Sequence, residues 1–542
     1  MKKILSATCA MMLASAGMMA NAQQLPNVGF DTWQTCAEQD GNGGQTYSMN
    51  KKYVTRPGSE PKYWNGSSVN QMSLVSEELI KNQEGSALLF NKKVGLGTFT
   101  SVAPGYITLG TPWVYATIPV KNSDGGTFGG VSFTYKPDAI KGRYKRTDST
   151  GESSHIIAYL WNGEFNSKIA NNEDCVDSDR AIFANNDSNG ELVASCDFTF
   201  TGTNEEWQEI EEPLTYVEGA GEPKMMNVII SAGDYWNRGE LKDGTTLLVD
   251  DVRFVYYSRL ALISLNGEAI TLEEGKYDYT VDKVLDFSED KVVPTVMGKN
   301  AKAEVSIDFK SALVTVEVSN VGADSDGKSS HTYTFQYQKP VVEEYTGYLN
   351  VEMDGSLIEE NATSTIEILD HQNDYCTFLL PNLTIGGTLP LGDIRIFNVV
   401  ITSVEGGNSY AGTVEDMALL GGAIHAKVVL NGTIIGSDVK MDVDVIWYQD
   451  YPYNTPEMEM PIKVSFTSAK LSGVESVAGD GVKVYAAAGC VVVEGAEGVA
   501  QVYTADGKQV AAESVNGKAE IALANGLYIV RVGNKVQKVV VK

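Results

Sequence analysis

Two adjacent carboxylates, Asp250 and Asp251, interrupt a run of apolar residues near the middle of the chain. The alternation of β-branched and aromatic residues around them predicts a half-buried β-strand. The alternation defines two faces: Leu248, Val252 and Phe254 on one, and Leu247, Val249 and Arg253 on the other. One carboxylate must then lie on the apolar face, where an ionised group is costly unless it is paired or binds a metal.

Aromatic side chains suggest a second kind of chemistry, the stacking of sugar rings. Tyr235 and Trp236 stand among Gly233, Asp234 and Asn237, a composition typical of a loop, where binding residues concentrate. The alternative is that such rings belong to the core, because aromatic side chains bury a large area. We predict a glycan-binding site that contains Trp236, Tyr235, Asp234 and Trp64.

Catalytic chemistry has a weaker signature in this sequence. A glycosidase needs two carboxylates about 5 to 10 Å apart across a sugar ring. Acidic residues are plentiful but stand in no catalytic motif; examples are Glu205, Glu206, Glu209, Asp234 and Asp250. The four histidines are scattered, and no H-E-x-x-H, G-x-S-x-G or Walker sequence occurs. We therefore expect no catalytic residues, and keep a glycan-active hydrolase as an alternative.

The N-terminus predicts export. Lys2 and Lys3 precede an apolar stretch, and Ala20-Asn21-Ala22 fits a cleavage site, so residues 1–22 are predicted to be a signal peptide. No apolar run of about 20 residues follows, so we expect no transmembrane segment. Without Lys2 and Lys3 the chain has 40 Lys and Arg against 70 Asp and Glu, a net charge of −30. This charge disfavours nucleic acid as a partner.

Cysteine usage does not indicate a disulfide framework. Loss of Cys9 with the signal peptide leaves an odd number of cysteines, five of the six. Only Cys175 and Cys196 are near each other in sequence, and export permits their pairing without requiring it. The sequence leaves that pairing open.

Residues 23–258 contain many short apolar runs between Gly, Asn and Asp turns, which predicts an all-β sandwich. Five segments occur in a specific order: Leu25 to Trp33, Phe133 to Pro137, Gly142 to Lys145, Ile230 to Tyr235, and Leu248 to Val252. This order resembles the putative carbohydrate metabolism domain of Bacteroidetes surface proteins, and implies a jelly roll associated with polysaccharide use.

The resemblance also implies a cation. In jelly rolls of this type, the first Asp of a V-D-D-V strand meets an acidic residue of the first strand around a structural calcium. Carried over to this chain, the metal ligands are Asp250 and Asp31, which we predict to be neighbours. If no metal binds there, Asn27 or a backbone donor should satisfy Asp250.

Three further β domains follow in the predicted order. Residues 259–340 have the alternating strands of an Ig-like or cadherin-like spacer. Residues 341–469 suit a small closed barrel and resemble the calycin-like β-barrel domain, with Gly347-Tyr348 where lipocalins have Gly-x-Trp. Residues 470–542 contain V-Y-x-x-x-G-K from Val502 to Lys508, the strand Gly526 to Val532, and a terminal K-V-V-V-K. These pieces resemble the C-terminal sorting domain of type IX secretion, a small β-sandwich, and the resemblance implies outer-membrane secretion machinery as a partner.

These features favour an exported protein, at the cell surface or outside the cell, or in the periplasm if the tail is not a sorting signal. Its N-terminal jelly roll is predicted to bind a polysaccharide or oligosaccharide. The alternatives are a structural or adhesive surface protein without a sugar site and the hydrolase named above. Whether the barrel holds a ligand is left open by the sequence.

Overall fold

The computed structural model describes residues 24–36, 45–48, 52–71, 75–115, 124–148, 150–163, 179–180, 182–185, 190–237, 240–385, 389–469, 482–487, 489–504, 508–533 and 535–541. Strands dominate this part of the chain, so the prediction of an all-β protein is confirmed. The predicted signal peptide and Cys175 lie outside the described residues. Within them, no helix is both long enough and apolar enough to cross a membrane.

The chain divides into two compact units between Tyr337 and Gln338. The strands of the first unit are β1 Trp33–Thr35, β2 Gln45–Ser48, β3 Lys52–Thr55, β4 Ser59–Pro61, β5 Asn65–Gly66, β6 Val69–Gln71, β7 Val75–Glu77, β8 Ile80–Gln83, β9 Ser86–Phe90, β10 Lys92–Leu96, β11 Phe99–Ala103, β12 Tyr106–Thr108, β13 Thr111–Tyr115, β14 Asp124–Phe128, β15 Val131–Ser132, β16 Ala139–Thr147, β17 Ser154–Gly163, β18 Gly190–Phe200, β19 Asn204–Pro213, β20 Thr215–Tyr216, β21 Met225–Ser231, β22 Thr246–Val255, β23 Leu260–Leu265, β24 Glu268–Ile270, β25 Asp278–Val284, β26 Val292–Val296, β27 Lys302–Asp308, β28 Leu313–Ser319 and β29 Ser330–Gln338. A 3₁₀ turn, Glu289–Lys291, precedes β26.

Two sheets of the first unit enclose its main core. One has the order β20-β18-β17-β21-β12-β5, with β15 also on β21, and the other has the order β19-β16-β22-β9-β8. Alternate side chains of β17 and β21, such as Ile156 and Val228, meet those of β22, such as Val249 and Phe254, in one buried cluster. Burial of this cluster drives the packing of the two sheets into a sandwich, since removal of apolar surface from water is the main stabilising contribution to folding. A further sheet has the order β14-β13-β2-β3-β6-β7.

The segment after residue 258 forms two small sheets, β24-β23-β26 and β25-β29-β28-β27. Its core contains Ile263, Val316 and Phe335, all fully buried. A loop of this segment packs on the sandwich: the Tyr256 N–H donates to the Ala323 carbonyl at 2.9 Å. The Ser258 N–H donates to Asp324 Oδ2, also at 2.9 Å.

The second unit begins with an antiparallel barrel. Its strands are β30 Val341–Met353, β31 Ser356–Asp370, β32 Tyr375–Ile385, β33 Leu389–Val404, β34 Gly407–Leu419, β35 Ile424–Ile435, β36 Asp438–Tyr448 and β37 Glu459–Thr467. Neighbours in sequence pair in turn, and β37 closes the barrel on β30. Short 3₁₀ turns, Leu420–Gly422 and Pro456–Met458, lie at one end.

The tail forms a sheet with its own core. Its strands are β38 Lys483–Ala487, β39 Cys490–Thr504, β40 Gln509–Ala522, β41 Gly526–Val532 and β42 Lys535–Val541. The order is β38-β39-β41-β42, with β40 paired to β39. Val493, Val502 and Val530 are fully buried in its core.

A β-bulge in β22 changes which side chains of this strand face the core, so the predicted division into two faces is wrong. Gly142 of β16 faces both Asp251 and Val252, because the register shifts between Lys141 and Arg143. Asp251 adopts the left-handed conformation there, with φ 53°. The extra residue changes the phase, as bulges do. Leu247 and Val249 before the bulge therefore share the core with Val252 and Phe254 after it, whereas Leu248 does not.

Candidate functional site

Two of the predicted glycan-contacting aromatics are core residues. Trp64 and Tyr235 are both 0% exposed. Trp64 Nε1 donates to the Pro26 carbonyl at 2.9 Å, and its ring packs edge-on against Phe30. The Tyr235 hydroxyl donates to Asp179 Oδ2 at 2.6 Å. A ring with no exposed face cannot stack on a sugar, so this role is wrong for Trp64 and Tyr235 in this structure.

Tyr63, next to Trp64, has the exposed ring of that pair. It is 58% exposed, and the Lys62 ammonium lies 5.0 Å from the centre of its ring. Its φ of 73° is unusual for a bulky residue. The backbone at Tyr63 is in the left-handed conformation, and Tyr63 is exposed where Trp64 is buried. Sequence spacing alone contains no signal for this conformation.

Trp236 lies at the surface and is held in place. It is partly buried, with its ring 4.9 Å from Phe183 and 5.2 Å from Tyr235, centre to centre. Its Nε1 donates to Asp197 Oδ2 at 2.7 Å, and its carbonyl accepts from Arg180 at 3.0 Å. These contacts fix the orientation of the indole ring.

Polar side chains surround this indole. His155 Nδ1 is 2.7 Å from Asp197 Oδ1, and His155 Nε2 is 3.5 Å from Asp234 Oδ1. Ser153 Oγ is 3.2 Å from the same Nε2. The side chains of Asp197 and Asp234 keep 23% and 35% exposure, whereas that of His155 keeps 7%. We call Trp236, Asp234, Asp197, His155 and Ser153 the Trp236 surface.

Two strands and one loop position the Trp236 surface. His155 and Asp197 belong to paired strands, β17 and β18, and point away from the main core. The loop after β21 carries Asp234, whose Oδ1 accepts the N–H groups of Trp236 and Asn237 at 3.2 and 3.1 Å. This Asx turn is the loop that the sequence predicted around Trp236. His155 and Asp197 were missed, because 42 residues separate them in sequence and only strand pairing brings them together.

The contacts of Ser153, His155 and Asp197 follow the order of a hydrolytic triad. A triad also needs donors for the oxyanion that forms in acyl transfer. Here a carboxylate, Asp234, lies 3.5 Å from the nitrogen that would serve as the base. Its negative charge opposes an oxyanion at that position. The arrangement is therefore better suited to accepting hydrogen bonds from hydroxyl groups than to acyl transfer.

The predicted cation site contains a side-chain cation. Arg143 donates to Asp250 Oδ2 at 2.7 Å, and its Nε lies 2.9 Å from Asp251 Oδ2. Asp250 also accepts from Ser86 Oγ at 3.1 Å and from the Asp251 backbone N–H at 2.8 Å. The pairing with Asp250 raises the pKa of Arg143. Among the described residues, no group of three or more His, Cys, Asp or Glu is arranged to hold a metal.

Asp31 and Asn27 lie near this strand in different ways. A β-carbon at Gly29 would lie 2.9 Å from Asp31 Oδ2 and 3.8 Å from Asp251 Oδ1, so Asp31 and Asp251 flank Gly29. Asn27 bonds to Thr32 instead of Asp250. A calcium ion at Asp31 and Asp250 stays a prediction, and Arg143 would compete with it.

Two questions left open by the sequence concern the barrel and Cys196. Apolar side chains fill the described interior of the barrel. Near one end they leave a gap of ≈ 10 Å³, about one water molecule, whose lining includes Leu383, Leu419 and Val445.

Cys196 is a buried free thiol, and burial raises its pKa to about 12. It is therefore not in a disulfide in this structure.

No curated protein matches the chain. A solved structure named "putative glycoside hydrolase from Bacteroides vulgatus ATCC 8482" is 18% identical, covers 41% of this chain and 95% of its own, and has a TM-score of 0.27. A structure of the same name from Bacteroides thetaiotaomicron VPI-5482 is 14% identical, with 43% and 71% coverage and a TM-score of 0.26. TM-scores below 0.5 do not establish a shared fold.

One family model matches part of the chain. It is the calycin-like beta-barrel domain, and it matches residues 341–469. The structure has a closed eight-stranded barrel in this region. Residues 341–469 are therefore a calycin-like β-barrel domain, as predicted.

Proposed function

We propose that the protein binds a glycan, without cleaving it, through the Trp236 surface of its N-terminal sandwich. The observation that carries the proposal is a fixed, partly exposed indole beside two carboxylates that keep solvent exposure. An aromatic face stacks on the apolar face of a pyranose. Asp197 and Asp234 can accept hydrogen bonds from its hydroxyls, and charged acceptors form the stronger bonds.

The fixed geometry favours binding because little freedom remains to be lost. Trp236 is already held by Asp197, Phe183 and Arg180. A side chain that is ordered before binding avoids a cost of about 0.5–1.5 kcal/mol. The acidic surroundings, in a chain of net charge −28, favour a neutral glycan over an anionic one. The predicted export would place this surface where polysaccharides are found.

The test is affinity electrophoresis of the mature chain through gels that contain neutral polysaccharides, with the Trp236→Ala variant beside it. We expect Trp236→Ala to lower the affinity for the polysaccharide about tenfold or more, and so to reduce retardation, since a central aromatic anchor contributes at least ~1.4 kcal/mol. Trp207→Ala is the matched control, because Trp207 is also a partly buried Trp of the sandwich, on β19, with Arg143 over its ring at 4.8 Å.

Melting temperatures separate lost binding from lost folding. Trp236→Phe keeps an aromatic ring against Phe183 but removes the bond to Asp197, so it should retain the fold and bind more weakly. Unchanged retardation of Trp236→Ala in every gel that retards the parent would contradict the proposal and leave the structural or adhesive alternative. Product release that depends on Ser153 would favour a hydrolase instead.

A further inference from the structure

One end of the barrel carries exposed aromatic side chains. The loop between β36 and β37, residues 449–458, is here called the Tyr453 loop. It lies at the same end as the turns after β30, β32 and β34. Tyr453 is 83% exposed, the largest value among the exposed large hydrophobic residues in the described chain. Tyr451 is 43% exposed.

Hydrogen bonds within the loop hold its backbone in place. The Tyr453 N–H donates to the Asp450 carbonyl at 3.1 Å, and the Thr455 N–H donates to the Asp450 carboxylate at 3.1 Å. The Met458 N–H donates to the Thr455 carbonyl at 2.8 Å, and the Gln449 N–H donates to the Met458 carbonyl at 3.1 Å. Tyr453 therefore projects from a turn whose conformation is already fixed.

Tyr451 is fixed by side chains of the barrel wall. Its ring lies parallel to that of His425, with centres 3.6 Å apart and planes 5° apart. Its hydroxyl donates to Asp416 Oδ2 at 3.1 Å, and His425 Nδ1 is 2.7 Å from Asp416 Oδ1. One face of Tyr451 is covered by His425, so the exposed fraction belongs to the rest of the ring.

We propose that Tyr453 and Tyr451 form a second carbohydrate-binding surface, on the calycin-like barrel, that stacks on the pyranose rings of a neutral glycan. Flat aromatic faces presented by a fixed loop bind at a reduced entropic cost. Asp416 and Asp450 accept hydrogen bonds from the loop itself, so their charge is partly balanced where they lie. The surface is independent of the Trp236 surface, which belongs to the other unit.

The local chemistry selects against other ligand classes. Asp416, Asp450 and the exposed Glu457 disfavour a polyanion. A cationic group would be favoured by a cage of several rings around one centre. Tyr453 instead presents one open ring, whereas the hydroxyl of Tyr451 is bonded to Asp416 and its inner face is covered. An open, flat ring suits a sugar better than a point charge.

The test uses the mature chain with the Trp236→Ala substitution, which removes the first proposed site and keeps the two proposals distinguishable. Saturation-transfer NMR would be recorded with oligosaccharides of glucose, galactose, mannose and xylose. Poly-L-lysine serves as a cationic probe. Tyr453→Ala, Tyr453→Phe and Tyr375→Ala would be added separately; Tyr375 is a 45% exposed tyrosine at the opposite end of the barrel.

We expect at least one oligosaccharide to bind, with affinity lowered about fivefold or more by Tyr453→Ala and little changed by Tyr453→Phe or Tyr375→Ala. Tyr453 is exposed, so its variants should melt at the parent temperature. The proposal is overturned if no oligosaccharide binds, if binding persists unchanged in Tyr453→Ala, or if Tyr453 is needed only for poly-L-lysine.

Discussion

At the residue scale, Asp138 shows how one buried carboxylate joins two parts of the first unit. It is 8% exposed, and its two oxygens accept the backbone N–H groups of Lys299 and Tyr257 at 2.7 and 2.8 Å. Burial raises the pKa of Asp138 to about 6, despite the opposing effect of these two N–H donors. The folded chain therefore holds this proton more tightly than the unfolded chain does.

This pKa predicts a pH dependence of stability. Between about pH 4 and pH 6 the unfolded chain releases the Asp138 proton while the folded chain keeps it, so stability falls as pH rises. The loss should be about 2–3 kcal/mol, complete above about pH 6. Urea unfolding of the parent and of Asp138→Asn at several pH values would measure it. The variant should lack this component.

Asp282→Asn is the control for Asp138→Asn, since Asp282 is an exposed carboxylate of the same unit. It should retain the pH dependence of the parent. Equal pH profiles for the parent and Asp138→Asn would show that the Asp138 carboxyl is not the responsible group.

At the element scale, the bulge in β22 decides which charges meet. Asp250, just before the bulge, is 7% exposed, and Asp251, within it, is partly exposed. One guanidinium from the neighbouring strand, Arg143, then contacts both carboxylates. Arg143 therefore occupies the position beside Asp250 where calcium was predicted, and a calcium ion would have to displace it.

A calcium titration tests this competition. We expect millimolar CaCl₂ to move the melting temperature of the parent by less than about 2 °C, because Arg143 already balances Asp250. Arg143→Ala should cost about 1–2 kcal/mol, a value reduced by the 40% exposure of Arg143, and should make the fold respond to calcium. A large calcium shift in the parent that Asp250→Asn abolishes would restore the predicted metal site.

At the scale of the whole molecule, the segment predicted as a spacer packs on the sandwich. The ring of Tyr256 is fully buried, and a β-carbon at Gly322 would lie 2.3 Å from it. Glu211 of the sandwich accepts from the hydroxyls of Tyr257 and Ser325 at 3.0 and 2.7 Å. The sandwich and residues 259–337 should therefore unfold together.

Truncation tests this coupling. A chain that ends at Tyr337 should keep the unfolding transition of the first unit, because all its internal contacts remain. A chain that ends at Ser258 exposes Tyr256 and leaves Asp138 without the Lys299 N–H. We expect a loss of about 3–5 kcal/mol, as for other lost aromatic packing, and a melting temperature lower by ten degrees or more. Equal melting temperatures for the two chains would instead establish an independent spacer.

Local sequence patterns were sufficient to predict the class of fold and the loop that carries Trp236. Alternating apolar residues and Gly or Asn turns report the two faces of a strand directly, because strand periodicity is local. The eight strands of the barrel and the Asx turn at Asp234 follow from such local signals. Properties that depend on neighbours distant in sequence were predicted less well.

Contacts between residues distant in sequence set which aromatic rings are exposed and which charges are paired. Tyr63 and Trp64 are adjacent in sequence but differ in burial, and the backbone at Tyr63 is left-handed. Asp197 reaches His155 and Trp236 only through strand pairing and a loop that folds over it. Burial and charge pairing depend on neighbours from the whole fold, so a local sequence pattern cannot predict them.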